Sequence, residues 1–232
     1  MKNIPISGSI VSDDDAWIYN FFGIPCTSPK AVKKELQEAN GDEVTIEINS
    51  GGGDLFAGNE IYYAIHEYKG RTTADITGLA ASAATVIACG ANVVRASPGM
   101  QYMIHNVSAG AQGDYHAMDH MSEILQNANR AVTNIYRLKT GMEETELLDL
   151  MNRETWMEAK KAMELHFVDE IIGDKGGALA KPITLYNAAA IILPEEVKAK
   201  VRASIRSEDP DILLQKNKLD ILKLKGEQRS EI

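Results

Sequence analysis

The chain is short of cysteine, of aromatic residues and of positive charge, and each shortage closes off a class of protein. Its 232 residues include two cysteines, Cys26 and Cys89. Two cannot build a disulfide framework or a cysteine-based metal site, and no metal is expected. Cys89 lies in an apolar run and reads as a small buried side chain. Aromatic residues make up 6%, and alanine is plentiful instead, which favours close packing of helices. Lysine and arginine number 24 against 33 aspartates and glutamates, a formal charge of −9. Phosphate binding needs a basic footprint, so nucleic acid is excluded as the main partner. No apolar run reaches membrane-spanning length, and no basic, hydrophobic-cored signal peptide opens the sequence. No nucleotide-binding P-loop is present. The expectation is a reduced, cytoplasmic-type protein with no membrane partner and no cofactor.

What is present is ordinary globular material: 44% hydrophobic and 25% charged residues, in a chain long enough for one substantial core. Strand and helix signals alternate. "NIPISGSIV" reads as a strand with a glycine break, "SDDDAW" as an acidic turn leading into an aromatic cluster. Ser28 and Pro29 form a cap and first turn for a helix over Lys30 to Ala39. "EVTIEINS" (Glu43 to Ser50) is β-branched and alternating, hence a strand. The glycines after it lead into a helix over Leu55 to Tyr68. "TTADITG", "NVVRAS" and "QYMIH" are further strands, and the alanine-rich stretch after Gly78 a short helix. Gly113 to Lys139 lacks proline and internal glycine and reads as one long helix; Glu143 to Met151 and Ala159 to His166 are shorter ones, before "FVDEII" closes the domain. The pattern is that of an α/β domain with a largely parallel sheet. From Asp174 the texture changes: 174–193 is linker-like, and 194–232 is a charged helical tail with Ile212, Leu219 and Leu222 at coiled-coil-like spacing.

Three local features could carry chemistry. Ser82, alone among alanines, sits where a strand gives way to a helix. There it serves either as an N-cap or as a nucleophile whose neighbouring N–H groups stabilise an oxyanion. "SGGGD" (Ser50 to Asp54) is either a tight strand-to-helix turn or a nest of N–H donors. "MIHN" places His105 at the end of an apolar strand, where site residues of α/β sheets collect and where a structural histidine is also common. His116 and His120, four apart on the long helix, suit a metal pair, but without a third ligand signal they read as a solvated face.

In order and spacing, "INSGGG" (Ile48 to Gly53), "GLAASAA" (Gly78 to Ala84), "MIHN" (Met103 to Asn106), the long helix and "RETWMEAKKAMELHFVDEI" (Arg153 to Ile171) resemble the proteolytic subunit of the Clp protease, within the wider Clp–crotonase fold family. The resemblance covers about Asn3 to Gly173, and is nearest to the Clp-like peptidases of phages and prophages that process capsid-associated proteins. It implies repeated β–α units with a protruding handle helix, over 1–173. It also implies a serine endopeptidase with Ser82 as nucleophile, His105 as general base and Glu154 in place of the usual aspartate. The implied oxyanion donors are the backbone N–H groups of Gly53 and Ala83, with Asp54 a further one. Partners would be protein substrates, capsid or scaffold proteins among them, and further copies of the chain in stacked rings.

Two departures from the family pattern stand out. Gly51 replaces the proline that usually follows "NS". The sequence also starts two residues before its first strand, where relatives carry a segment that engages an unfoldase, which argues against an ATPase partner. Two other readings compete. A crotonase-type acyl-CoA enzyme would use paired N–H groups and would not require a Ser–His pair. A catalytically silent capsid scaffold would use the fold as a platform, with the charged tail as its assembly element.

Overall fold

β-branched alternation lays down the sheet. In β3 (Val44–Gly53), which follows β1 (Lys2–Ile10), Ile46 and Ile48 are fully buried while Glu47 between them and Asn49 after them are exposed. The structure is a computed structural model and describes residues 2–173 and 193–204. Most of the expected linker and the positions Ile212, Leu219 and Leu222 lie outside the described residues. Between β1 and β3 come α1 (Asp13–Phe21), β2 (Cys26–Thr27) and α2 (Pro29–Ala39). Next are α3 (Leu55–His66), β4 (Thr72–Ala81), α4 (Ala83–Ala88), β5 (Val93–Ala96) and β6 (Gln101–Ile104). The last are α5 (Tyr115–Thr140), α6 (Glu144–Asn152), β7 (Thr155–Glu158), α7 (Ala159–Glu164), β8 (Glu170–Ile171) and α8 (Glu195–Ser204).

The strands form one mixed sheet in the order β2-β1-β3-β4-β5-β8, with β6 and β7 branching from β4. Every pairing among the described strands is parallel except β6 with β7. β4 has two neighbours on one side. Thr73 to Ile76 pair with β5, and Leu79 to Ala81 pair with Gln101 to Met103 of β6. The fork lies at Gly78, where a Cβ would stand 2.8 Å from Asn49 Oδ1. That same oxygen accepts the Leu79 N–H at 3.2 Å. Helices α2, α3, α4 and α6 and the C-terminal part of α5 bury their apolar residues in one core. In α5 the buried residues are Val132, Thr133, Tyr136 and Thr140, and the preceding half stands exposed.

Two elements differ from the sequence reading. The expected acidic turn at Asp13 is the first turn of α1, because three aspartates there complement the helix dipole while Ile18 and Tyr19 supply a buried face. β7 is a strand through its antiparallel pairing with β6, with only Met157 of its four residues buried.

The first helix of the expected tail is packed on α1. Leu193 and Val201 join Val11, Ile18 and Tyr19 in a second small apolar cluster, and Tyr19 Oη accepts the Leu193 N–H at 3.0 Å. Asp15 ties the two helices: Lys198 Nζ lies 2.7 Å from its Oδ2, and Arg202 pairs with Oδ1. Burial works to lower the Lys198 pKa, but the bonds to Asp15 and Glu195 outweigh it and leave it raised. Because the folded value is the higher one, this contribution is complete below the ordinary lysine range and is lost only above it. Replacing Asp15 with alanine leaves Lys198 with Glu195 alone and removes this carboxylate from Arg202, a change that costs about 1–3 kcal/mol for partly exposed charged pairs. The expected outcome is release of α8: hydrogen exchange of its amides approaches unprotected rates while β3 stays protected.

Candidate active site

Ser82 is the single residue between β4 and α4, and its backbone is in a strained conformation, φ 56° and ψ −126°. A non-glycine residue at positive φ costs about 1–2 kcal/mol. Surrounding bonds enforce it. The Ser82 N–H donates to Met103 O at 2.9 Å, continuing the β4–β6 ladder by one residue. The Ser82 carbonyl accepts from the Thr85 N–H at 2.9 Å and from Thr85 Oγ1 at 2.5 Å. Thr85 Oγ1 is in turn 2.6 Å from the Tyr136 hydroxyl on α5. The turn is thus fixed from the sheet on one side and from the long helix on the other. Strain held this way is released by glycine. Ser82→Gly is expected to be about 1 kcal/mol more stable than Ser82→Ala, read as a melting temperature about 2–4 °C higher.

Of the two roles open to Ser82, the side chain makes no capping bond. Its Oγ lies 2.8 Å from His105 Nε2 instead. The proximity follows from the sheet. β4 and β6 are parallel and paired up to Ala81 and Met103, so the residues just past their ends emerge side by side. His105 follows the last residue of β6, as Ser82 follows the last of β4.

The glycine loop lies against this turn. Gly52 has φ 91°, and a Cβ there would stand 2.6 Å from Ala81 O and 2.7 Å from Ser82 Cβ. Gly53 has φ 147° and faces β1, where a Cβ would meet Ile10 O at 2.1 Å. The buried Ser50 hydroxyl shapes the loop, donating to Gly8 O at 2.6 Å and accepting the Gly52 N–H at 3.1 Å. Ala83 opens α4, so its N–H belongs to the first-turn donors that have no partner within the helix. Asp54 does not fit the donor role expected of it. Its N–H is taken by Ile10 O at 2.8 Å, and its carboxylate caps α3 by accepting from the Ala57 N–H at 2.8 Å.

Glu154 is not bonded to His105. It sits just before β7, at φ 49°, and its N–H donates to Met151 O at 3.1 Å. The exposed carboxylate accepts from Trp156 Nε1 at 3.2 Å. The last ladder pair is Ile104 with Thr155, so Glu154 occupies the position facing His105 one step beyond. Asn106 Nδ2 bonds Asn152 Oδ1 at 2.9 Å across the same gap.

The surrounding titratable groups are structural. Burial pushes the Cys89 thiol up to about 12, and it raises the Tyr102 and Tyr136 hydroxyls well above their ordinary value. All three stay neutral and act as hydrogen-bonding groups under the nucleophile turn. His116 and His120 lie on the exposed half of α5, with His120 Nδ1 3.9 Å from Glu123. Thr85 and Tyr136 carry no sequence signal, being 51 residues apart. Gly52 is visible within "SGGGD", but only as one glycine among three.

Residues 34–175 match the model of the Clp protease family. The chain belongs to the Clp protease family. The ATP-dependent Clp protease proteolytic subunit 1 of Chlamydia muridarum is 34% identical over 164 residues, covering 66% of this chain and 84% of that protein. Its counterpart in Chlamydia trachomatis serovar D is 33% identical over 163 residues, with the same coverage. Among solved structures, a point mutant of ClpP1 from Listeria monocytogenes superposes with a TM-score of 0.62 at 22% identity. The match covers 75% of this chain and 93% of that one. Clp proteases are serine peptidases, and this chain is an enzyme of that type. The mixed α/β architecture with a largely parallel sheet is theirs as well.

Proposed function

We propose that the chain is a serine endopeptidase whose nucleophile is Ser82 and whose general base is His105. The 2.8 Å contact between Ser82 Oγ and His105 Nε2, made by a serine held at positive φ, carries this reading. His105 takes the hydroxyl proton as Oγ attacks a peptide carbonyl, and the imidazolium then protonates the leaving amine. Water activated by the same imidazole releases the acyl group. Developing negative charge on the carbonyl oxygen falls to the N–H groups of Ala83, at the start of α4, and of Gly53, in the glycine loop. Glu154 is the acid assigned to the far side of the imidazole. An acyl-CoA enzyme of the crotonase type would have no use for the Ser–His bond.

Substrates are extended protein segments, and capsid or scaffold proteins are the first to test, since the sequence motifs resemble those of phage-type Clp peptidases. The exposed half of α5 supports assembly with further copies into rings, in the cytoplasm where the chain is made. A fluorophosphonate probe mapped by mass spectrometry tests the reading. Labelling confined to Ser82, and absent from Ser82→Ala, is the expected result; an assembled protein whose Ser82 stays unlabelled would refute it.

A further inference from the structure

The acid that faces His105 one step past the ladder is bonded elsewhere, to an indole two residues away. We infer that Trp156 is a positioning residue that holds the Glu154 carboxylate off His105 in the single chain, so that the triad closes only when this bond opens. The inference rests on the proposed roles of Ser82, His105 and Glu154 and adds to them a residue that controls the third.

Four observations converge on it. The ladder ends with Ile104 facing Thr155, so His105 and Glu154 are the next residues on the two strands, just past a pair whose facing positions lie about 4.5–5.5 Å apart. A glutamate and an imidazole starting from neighbouring positions just past that pair have the combined length to meet by side-chain rotation. The Asn106–Asn152 bond joins the segment after His105 to the end of α6, which keeps the two backbones from drifting apart. Glu154 is one of four non-glycine residues at positive φ among the described residues, and Ser82 is another. Asn40, the third, is the C-cap of α2, a place where that conformation is routine. At Glu154 the turn aims the side chain along β7, toward Trp156. Finally, the indole N–H donates to a carboxylate oxygen at 3.2 Å, and the Trp156 side chain is half exposed and outside the buried core.

A hydrogen bond to a charged acceptor suffices to shift such an equilibrium by tenfold or more. The length of the acid matters here. Aspartate in this position would be one methylene shorter and less able to turn back onto the i+2 indole, so glutamate and tryptophan form a matched pair.

The test is the rate of Ser82 phosphonylation in the full chain. Trp156→Phe keeps the ring and removes the donor, and it is expected to raise the rate at least tenfold. Trp156→His, which restores a ring N–H, returns it toward the original value. Adding Glu154→Ala to Trp156→Phe cancels the gain, because Trp156 acts only through Glu154. A merely structural role for Trp156 would lower the rate irrespective of residue 154. Trp156 emission, read in a Trp17→Phe background, gives a second signature that does not depend on how Trp156 variants fold. It shifts when Glu154→Ala removes the acceptor. Equal labelling of the Trp156→Phe chain and its parent, or emission indifferent to Glu154, overturns the inference while leaving the peptidase reading intact. Absence of Ser82 labelling in every variant takes down both.

Discussion

Ser82→Ala is expected to lower peptide hydrolysis by about 10⁶-fold, with the fold intact. Members of a nucleophile–base pair act as one unit, so removal of either costs about as much as removal of both. His105→Ala should therefore match Ser82→Ala, and the double variant should be no worse than either. Stability separates this loss from unfolding. The bonds that hold the turn use the Ser82 N–H and carbonyl, not its hydroxyl: Met103 O, the Thr85 N–H and Thr85 Oγ1 remain partners of an alanine at this position. Hydrolysis rates normalised to folded protein, alongside thermal melting of each variant, check the prediction. Additive losses in the double variant would show that Ser82 and His105 do not share one proton-transfer step.

The second large effect is expected at Gly52. A Cβ there would stand 2.6 Å from Ala81 O, 2.7 Å from Ser82 Cβ and 3.0 Å from Ala83 N. Every one of these atoms belongs to the nucleophile turn. Gly52→Ala must therefore displace that turn, at φ 91° that alanine itself resists. Misplacing a reacting group by about 1 Å costs about 10²-fold, and overpacking with backbone strain adds about 2–4 kcal/mol of destabilisation. The expected variant is folded, with a lowered melting temperature and kcat reduced by about 10²-fold. Gly53→Ala fails differently, because its Cβ would press on Ile10 O of β1 at 2.1 Å. That clash separates two sheet strands, and the expected outcome is loss of folded protein. The two neighbouring substitutions should thus fail in different ways, Gly52→Ala first in the chemistry and Gly53→Ala first in the sheet. Unimpaired kcat in Gly52→Ala would remove the loop from the site.

Much of the sheet is legible because its strands carry a period of two. Ile46 and Ile48 alternate with exposed residues over a span long enough to recognise, and the helix after Ser28 begins at Pro29 as its cap residues indicate. The stretch after Ser12 is ambiguous because three aspartates favour both a turn and a helix start. Burial of Ile18 and Tyr19 decides between them in favour of the helix. At the site, motif order singles out Ser82, His105 and Glu154, but not their conformations. Nothing in "AASAAT" announces that Ser82 takes up a positive φ, because the position that would favour glycine holds the serine. The place of Asp54 in the glycine loop makes its N–H look free for an oxyanion. Only the neighbouring strand β1 shows that Ile10 O already occupies it. The destination of the Glu154 carboxylate depends on a side chain two residues away and on a left-handed turn, neither of which a spacing argument contains.

Ser82 and His105 are 23 residues apart in the chain, yet two links join their strands, one through the backbone to Met103 and one through the side chain to the imidazole. The backbone of His105 cannot slide relative to that of Ser82 unless β6 peels from β4. Fraying at the chain ends therefore offers their backbones no route to misalignment. The register of the pair persists for as long as the sheet does, and the two disappear together.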